Sequence, residues 1–133
     1  MTDTTHTPRG PMTESDETLS QTRAAAEAVR ELCRRTTALP AMTPATVADA
    51  LANLAELAAA LPQASAQLGR ILEQAAQEQN LAMDGMTEET DPRMAIDVAR
   101  YQLEEVRDVG VDLHKRLDIA FNAVSHIISD GTE

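Results

Sequence analysis

The spacing of apolar and polar positions predicts two long helices of nearly equal length. Apolar or small residues recur at every seventh position in two separate stretches, and each stretch has further apolar residues three and four positions away. The two ladders are Val47, Leu54, Leu61, Leu68, Ala75 and Ala82, and then Ile96, Leu103, Gly110, Leu117 and Val124. With only a short connection between them, they predict a long antiparallel helical hairpin.

Start and stop signals place the ends of the two helices. Thr43 and Asp91 are N-cap candidates, and each is followed by a proline at the first helical position, where its missing N–H costs nothing. Asp84-Gly85 marks the turn between the helices. We therefore expect helices over about residues 44–82 and 92–129.

Pro62 lies inside the first of these helices. The apolar stripe keeps its phase across the proline, so a kinked but continuous helix is expected. Folding the hairpin about its loop places Gly110 opposite Ala64 and Ser65, just past the proline. We expect the two backbones to approach closely there, with Gly110 accommodating the kink.

A shorter helix is predicted before the hairpin, over about residues 17–39. Pro40 ends it, because proline cannot donate the next helical hydrogen bond and disfavours helical geometry in the preceding residue. We expect this helix to run antiparallel to the next one and to form a three-helix bundle at one end of the hairpin. Residues 1–16 are polar and lack periodicity, so they are predicted to be a disordered tail, and residues 130–133 a second tail.

Composition supports one all-α domain over residues 17–129. Alanine supplies much of the 43% hydrophobic content, and Tyr101 and Phe121 are the only aromatic residues, so the expected core is a narrow seam. Clusters of β-branched and aromatic residues bounded by turns are missing from the sequence, which argues against strands. The single cysteine, Cys33, excludes an internal disulfide and is expected to be buried as a small apolar residue.

The charge of the chain bears on its partners. A formal net charge of −11 opposes binding to phosphate backbones, so direct nucleic-acid binding is not expected. The most acidic stretch, residues 84–92, falls in the predicted hairpin loop. No apolar run approaches the roughly 18 residues needed to cross a membrane, and no signal peptide is recognisable, so a cytoplasmic protein without membrane contacts is expected.

Signatures of catalysis, cofactors and metals are not found in the sequence. There is no phosphate-binding glycine loop and no dinucleotide-binding glycine triplet. His114 with Asp118, and His126 with Asp130, have i,i+4 spacing, but two ligands are too few for a metal site. We therefore predict no catalytic, cofactor or metal residues and no enzymatic activity.

Two further patterns have structural explanations. Arg93, Arg100, Arg107 and His114 recur at intervals of seven, with acidic residues one turn away, so ion pairing within and between helices is the preferred interpretation. Methionines cluster around the loop, where they are expected to seal the end of the hairpin seam; binding of Cu(I) or of a protein are the alternatives. These methionines are Met83, Met86 and Met94.

The half of the hairpin beyond the short helix is the predicted interaction surface. It carries more apolar side chains than one seam can bury, and a two-helix arm with so few large residues is marginal by itself. Pairing of two arms in a four-helix bundle is the simplest remedy, so we expect a homodimer. The candidate surface consists of Leu68, Ile71, Leu72, Ile96, Leu103, Val106, Met83 and Met86.

Two resemblances accompany these patterns. Thr43-Pro44, the run Val47-Ala-Asp-Ala-Leu-Ala-Asn-Leu-Ala-Glu-Leu and Leu61-Pro62-Gln63 resemble small helical-hairpin proteins of actinobacteria that are associated with mobile elements, over at most residues 43–128. That group implies no activity. Tyr101-Gln-Leu-Glu-Glu105 is similar to the export signal of WXG100-type secretion substrates, but the chain has no tryptophan and Tyr101 falls within the second hairpin helix.

The sequence favours a non-catalytic interaction protein that self-associates and binds an unidentified protein partner through its helical faces. One alternative is an acidic mimic of nucleic acid that inhibits a DNA-binding protein, and another is a WXG100-like secreted hairpin. A third is a small-molecule binder or enzyme with a site between the helices. Such a site needs convergent polar groups, and only Ser65, Gln79 and His114 fall near the seam.

Overall fold

The computed structural model describes residues 12–128 and contains three helices. These are α1 (Glu14–Thr36), α2 (Pro44–Glu78) and α3 (Pro92–Ser125). Within residues 12–128 there is no strand, which confirms the predicted all-α fold. None of the described helices is long and apolar enough to cross a membrane.

The described chain divides into two compact units between Ala41 and Met42. The first unit contains α1, and the second contains the hairpin of α2 and α3. The packing of α1 against one end of the hairpin, as a three-helix bundle, stays a prediction.

Helix α1 begins at Glu14, earlier than predicted, because a capping box fixes its start. The backbone N–H of Asp16 donates to Oγ1 of Thr13 at 3.1 Å, and the N–H of Thr13 donates to Oδ2 of Asp16 at 3.4 Å. Residues 14–16 are therefore helical rather than part of a polar tail. The rest of that predicted tail, residues 1–11, lies outside the described residues, as do residues 129–133.

The other end of α1 is Thr36, before the predicted end at Leu39. Leu39 precedes Pro40 and has a φ of 52°, in the left-handed region, so it cannot continue a right-handed helix. Cys33 is exposed, contrary to the prediction that it is buried. No residue of α1 is buried, because a unit with a single helix has no interior.

Both helices of the hairpin begin as predicted. The side chains of Thr43 and Asp91 cap α2 and α3, and a proline follows each cap. Helix α2 continues through Pro62, as expected, but ends at Glu78 rather than near residue 82. Residues 77–80 are all polar and offer no apolar side chain to α3, so packing does not extend the helix further.

The seam between α2 and α3 uses the predicted ladder of α3 but a different ladder of α2. Along α3, the ladder from Ile96 to Val124 is buried or half-buried at every rung. Along α2, the positions that face α3 lie one residue after those of the predicted ladder. Val47, Leu61 and Leu68 of that predicted ladder are exposed. The buried residues of α2 are instead the small residues Ala48, Ala55, Ala58, Pro62 and Gly69, and the half-buried Ala76 lies one seven-residue step beyond Gly69.

The central contact of the hairpin joins Pro62 and Gly110. A methyl group added to Gly110 would overlap Cγ of Pro62 and lie 3.1 Å from its Cδ. Gly110 therefore accommodates the proline, as predicted, but the register differs, because Gly110 lies against Pro62 itself rather than against Ala64 and Ser65. The displaced inward ladder of α2 accounts for this shift.

From this contact, seven-residue steps along the two helices pair a small residue of α2 with a larger residue of α3. A methyl group on Gly69 would lie 3.2 Å from Cδ1 of Leu103, which confirms the register one step away. Only at Pro62 and Gly110, among these described rungs, does the larger residue belong to α2. The other rungs are Ala48 with Val124, Ala55 with Leu117, Gly69 with Leu103, and Ala76 with Ile96.

This geometry predicts that Gly110→Ala destabilises the hairpin, although alanine is intrinsically the better helix former. The overlap with Pro62 outweighs the gain in helix propensity, so the free energy of unfolding should fall by about 1–2 kcal/mol. Urea denaturation followed by circular dichroism measures the change. In a Pro62→Ala background the same substitution should lose most of its cost, since the overlapping ring is gone.

Gly69→Ala is the matched control, because its nearest neighbour is the end of a flexible leucine side chain. Its effect should be smaller than that of Gly110→Ala. Equal effects at the two glycines, or a Gly110→Ala protein as stable as the parent, would contradict the proposed role of the Pro62 contact.

Candidate interaction surfaces of the hairpin

Because small residues occupy the seam positions of α2, its larger side chains lie on one side of the hairpin. Leu61 lines a groove of about 410 Å³ on that side, together with Val106, Val109 and Leu113 of α3. Leu54 and Leu68 lie one heptad from Leu61 and share its side of α2, and Leu72 follows one turn later. We call this surface the apolar face, and it consists of Leu54, Leu61, Leu68, Leu72, Val106, Val109 and Leu113.

The side chains of the apolar face are exposed, except that of Leu54, which is half-buried. Leu61 is 47% exposed, Leu68 41% and Val109 66%. Scattered exposed apolar residues are normal on proteins, but a contiguous set along one side of a hairpin is typical of a surface that contacts another chain.

Charge is missing from the central part of α2, which carries Leu61 and Leu68 of this face. Between Glu56 and Arg70, the run Leu57–Gly69 contains no charged residue, although a quarter of the whole chain is charged. Helix α3 contributes one acid, Glu105, to the rim of the groove. The apolar face can therefore be covered without desolvating many charges.

The predicted interaction residues do not form one surface, and two of them, Met83 and Met86, lie in the loop between α2 and α3. Leu68, Leu72 and Val106 belong to the apolar face, and Ile71 is exposed on α2. Ile96 and Leu103 must be reassigned to the seam: Ile96 is buried, and Leu103 is half-buried against Gly69. Periodicity alone could not separate seam from surface, because both sets of residues follow the same seven-residue spacing.

The loop methionines do not close the end of the seam as expected. Met86 is 90% exposed and Met94 is also exposed, while Met83 is half-buried. Local hydrogen bonds organise this loop instead, including one from the N–H of Met86 to Oδ1 of Asp84 at 2.9 Å. Gly85 follows this aspartate with a φ of 83°, which suits glycine.

The opposite side of the seam carries the predicted column of basic residues. Arg93 donates two hydrogen bonds to the carboxylate of Glu73, at 2.7 and 2.8 Å, and Arg100 donates a third at 3.1 Å. Arg93 also pairs with Asp97 one turn away. Ion pairing within and between helices, the predicted role, is thus confirmed for Arg93 and Arg100.

These contacts shift the proton affinities of the groups involved. Hydrogen bonds from Arg93, and then its charge and the contacts of Arg100, hold the pKa of Glu73 below its usual value against the opposing effect of desolvation. Hydrogen bonds to Glu73 and Asp97 raise the pKa of Arg93. Glu73 is therefore ionised at neutral pH, and it links α2 to α3 near the loop.

Arg107 and Arg70 complete this side of the hairpin, which we call the arginine face (Arg70, Arg93, Arg100, Arg107 and His114). Among residues 12–128, neither Arg70 nor Arg107 forms an ion pair. Both line a groove of about 230 Å³ with Arg100. Sequence reasoning missed Arg70, because only the register of the hairpin brings it beside the α3 column.

His114 makes a hydrogen bond across the seam. Its Nδ1 lies 2.8 Å from the carbonyl oxygen of Ala55, to which it donates a hydrogen bond across the seam. In the described part of the chain, no three His, Cys, Asp or Glu side chains come together in a way that can hold a metal ion. Asp130, the predicted neighbour of His126, lies outside that part.

The Glu73 pairs predict a pH-dependent contribution to stability. Because folding lowers the pKa of Glu73 relative to the unfolded chain, the pairs stabilise the hairpin above the unfolded value of about 4.3, and this contribution is lost as pH falls through the folded value. Glu73→Gln should lower the melting temperature at about pH 7 and leave it nearly unchanged at about pH 3.

Asp112→Asn is the control for this experiment, since it removes a single exposed pair with Arg116 within one helix. Such a pair contributes little, so its melting temperature should change less at neutral pH. A Glu73→Gln protein that melts with the parent at neutral pH would show that the pairs contribute nothing.

Comparisons with known proteins do not assign a function to this chain. No family model, no curated protein and no solved structure matches this chain. The apolar face and the arginine face are therefore the two candidate sites.

Proposed function

We propose that this protein is a non-catalytic interaction protein that self-associates and binds another protein through the faces of its hairpin. The observation that carries the proposal is the apolar face, where large aliphatic side chains stay exposed because small residues fill the seam. Complete burial of an exposed leucine contributes about 1.5–3 kcal/mol, and since these are already about half covered, each contributes roughly half of that on association. Covering several of them together therefore favours association.

The distribution of charge along the chain favours a second copy of this protein as one occupant of the apolar face. At a net charge of −11, two copies repel each other over most of their surfaces. The uncharged run Leu57–Gly69 is the part of α2 where two copies can approach without bringing like charges together. Packing of two apolar faces gives a bundle of four hairpin helices, with the same residues contributed by both copies.

Self-association predicts that two substitutions on the apolar face separate the copies. Leu61→Gln with Leu68→Gln removes four leucines from a symmetric dimer while keeping good helix formers, so the dimer dissociation constant should rise at least about tenfold. Sedimentation velocity over a concentration series measures it, and circular dichroism checks that the helices remain.

Ile119→Gln is the matched control, because Ile119 is exposed on α3 and lines neither of the two grooves described above. Its dissociation constant should stay within about twofold of the parent value. A parent protein that is monomeric at high concentration would contradict self-association.

Binding of a protein partner is tested separately by its salt dependence. Affinity capture of the intact protein from its native host, with washes at low and high salt, should retain a partner at high salt, since apolar contacts are not screened. The same partner should be lost by the Leu61→Gln, Leu68→Gln protein and kept by Ile119→Gln.

A partner that dissociates steeply with salt, and that is a DNA-binding protein, would instead favour an acidic mimic of nucleic acid. Retention of the partner by the doubly substituted protein would show that the apolar face does not bind it. Recovery of the protein alone under both salt conditions would also contradict the proposal.

A further inference from the structure

Two adjoining grooves lie on the arginine face, on the other side of the seam from the apolar face. The first, of about 370 Å³, runs beside Pro62 and has Ala59 and Val111 in its walls. The second is the arginine-lined groove described above, of about 230 Å³. Ala66 and Arg107 line both, so the two grooves are neighbours.

The two grooves differ in chemistry. Proline, alanine and valine form half of the residues that line the first, together with Gly110, Gln63 and Arg107. The ring of His114 is held in place there by its hydrogen bond to Ala55. The second is surrounded by three arginines and one acid, Glu104. An apolar surface therefore leads directly into a site of positive charge on an otherwise acidic chain.

The arginines of the second groove are only partly neutralised. Arg100 shares Glu73 with Arg93, whereas Arg70 and Arg107 form no ion pair within residues 12–128. Three guanidinium groups on one groove repel one another, and a bound anion relieves that repulsion. Their planar forks donate two parallel hydrogen bonds to a carboxylate or a phosphate.

We propose that these grooves bind a small amphipathic anion. Its apolar body lies beside Pro62, and its single carboxylate or phosphate head contacts Arg70 and Arg107. A polyanion does not suit the site, because the net charge of −11 repels it beyond the groove and Glu104 limits the local positive charge. The combined grooves fall in the usual volume range of small-molecule sites, about 300–1,000 Å³.

The proposal is tested by titrating the full chain with octanoate and with octyl phosphate, followed by amide chemical shifts. Each ligand should bind saturably, with the largest shifts at Ala66, Gly69, Arg107 and Gly110. 1-Octanol lacks the head group and inorganic phosphate lacks the apolar body, so both should bind at least about tenfold more weakly. The two head groups, compared directly, identify which anion the arginines prefer.

Arg107→Gln and Arg70→Gln remove the proposed contacts with the anion. Both arginines are exposed, so neither substitution leaves an unpaired polar group buried. Each should weaken octanoate or octyl phosphate at least about tenfold, since a charge-assisted hydrogen-bonded pair is lost. Arg116→Gln is the control, because Arg116 pairs with Asp112 and lines neither groove. Its affinity should stay within about twofold of the parent value.

Three results would overturn the proposal. In the first, 1-octanol binds as tightly as the two anions. In the second, Arg107→Gln and Arg116→Gln weaken the affinity for the anions equally. In the third, the largest amide shifts occur at Leu61 and Val106 on the apolar face. Self-association is independent of this site, so a protein that dimerises but fails these titrations loses only the anion site.

Discussion

The contact between the ring of Pro62 and the backbone of Gly110 is the constraint on which the hairpin depends. Proline inside a helix removes a hydrogen bond and places its ring against neighbouring backbone, at a cost of about 3 kcal/mol. Here the ring points into the seam, and only a residue without a side chain fits opposite it. The contact fixes one rung of the register, and seven-residue steps from it fix the others.

That register divides the hairpin into an interior of small residues and two unlike faces. Alanine and glycine on α2 let α3 approach closely, so Ile96 and Leu103 fill the seam from one side only. The leucines of α2 are then left beside the seam rather than inside it. The same arrangement brings Arg70 of α2 beside Arg100 and Arg107 of α3. Both candidate sites follow from how the seam is packed.

Sequence reasoning recovered the elements of this fold better than the contacts between them. Proline after Thr43 and after Asp91 marked both hairpin starts, because capping is a local effect. The capping box of Thr13 and Asp16, which starts α1, is an equally local signal. The one-residue shift of the α2 ladder could not be predicted in the same way. Leu54, Leu61 and Leu68 have the same seven-residue spacing as Ala55, Pro62 and Gly69, so spacing does not tell which set faces α3. Only packing against α3 decides that the smaller residues lie in the seam.

The most direct test of this account measures how exposed the leucines of α2 are in solution. A soluble paramagnetic agent should enhance relaxation of the Leu61 and Leu68 methyl groups strongly in dilute protein, and that of Leu117 weakly. As the protein is concentrated, the enhancement at Leu61 and Leu68 should fall while that at Ile119 remains, because a second copy covers the apolar face. Leucines at 61 and 68 that are protected even in dilute protein, or equally exposed at every concentration, would contradict the account.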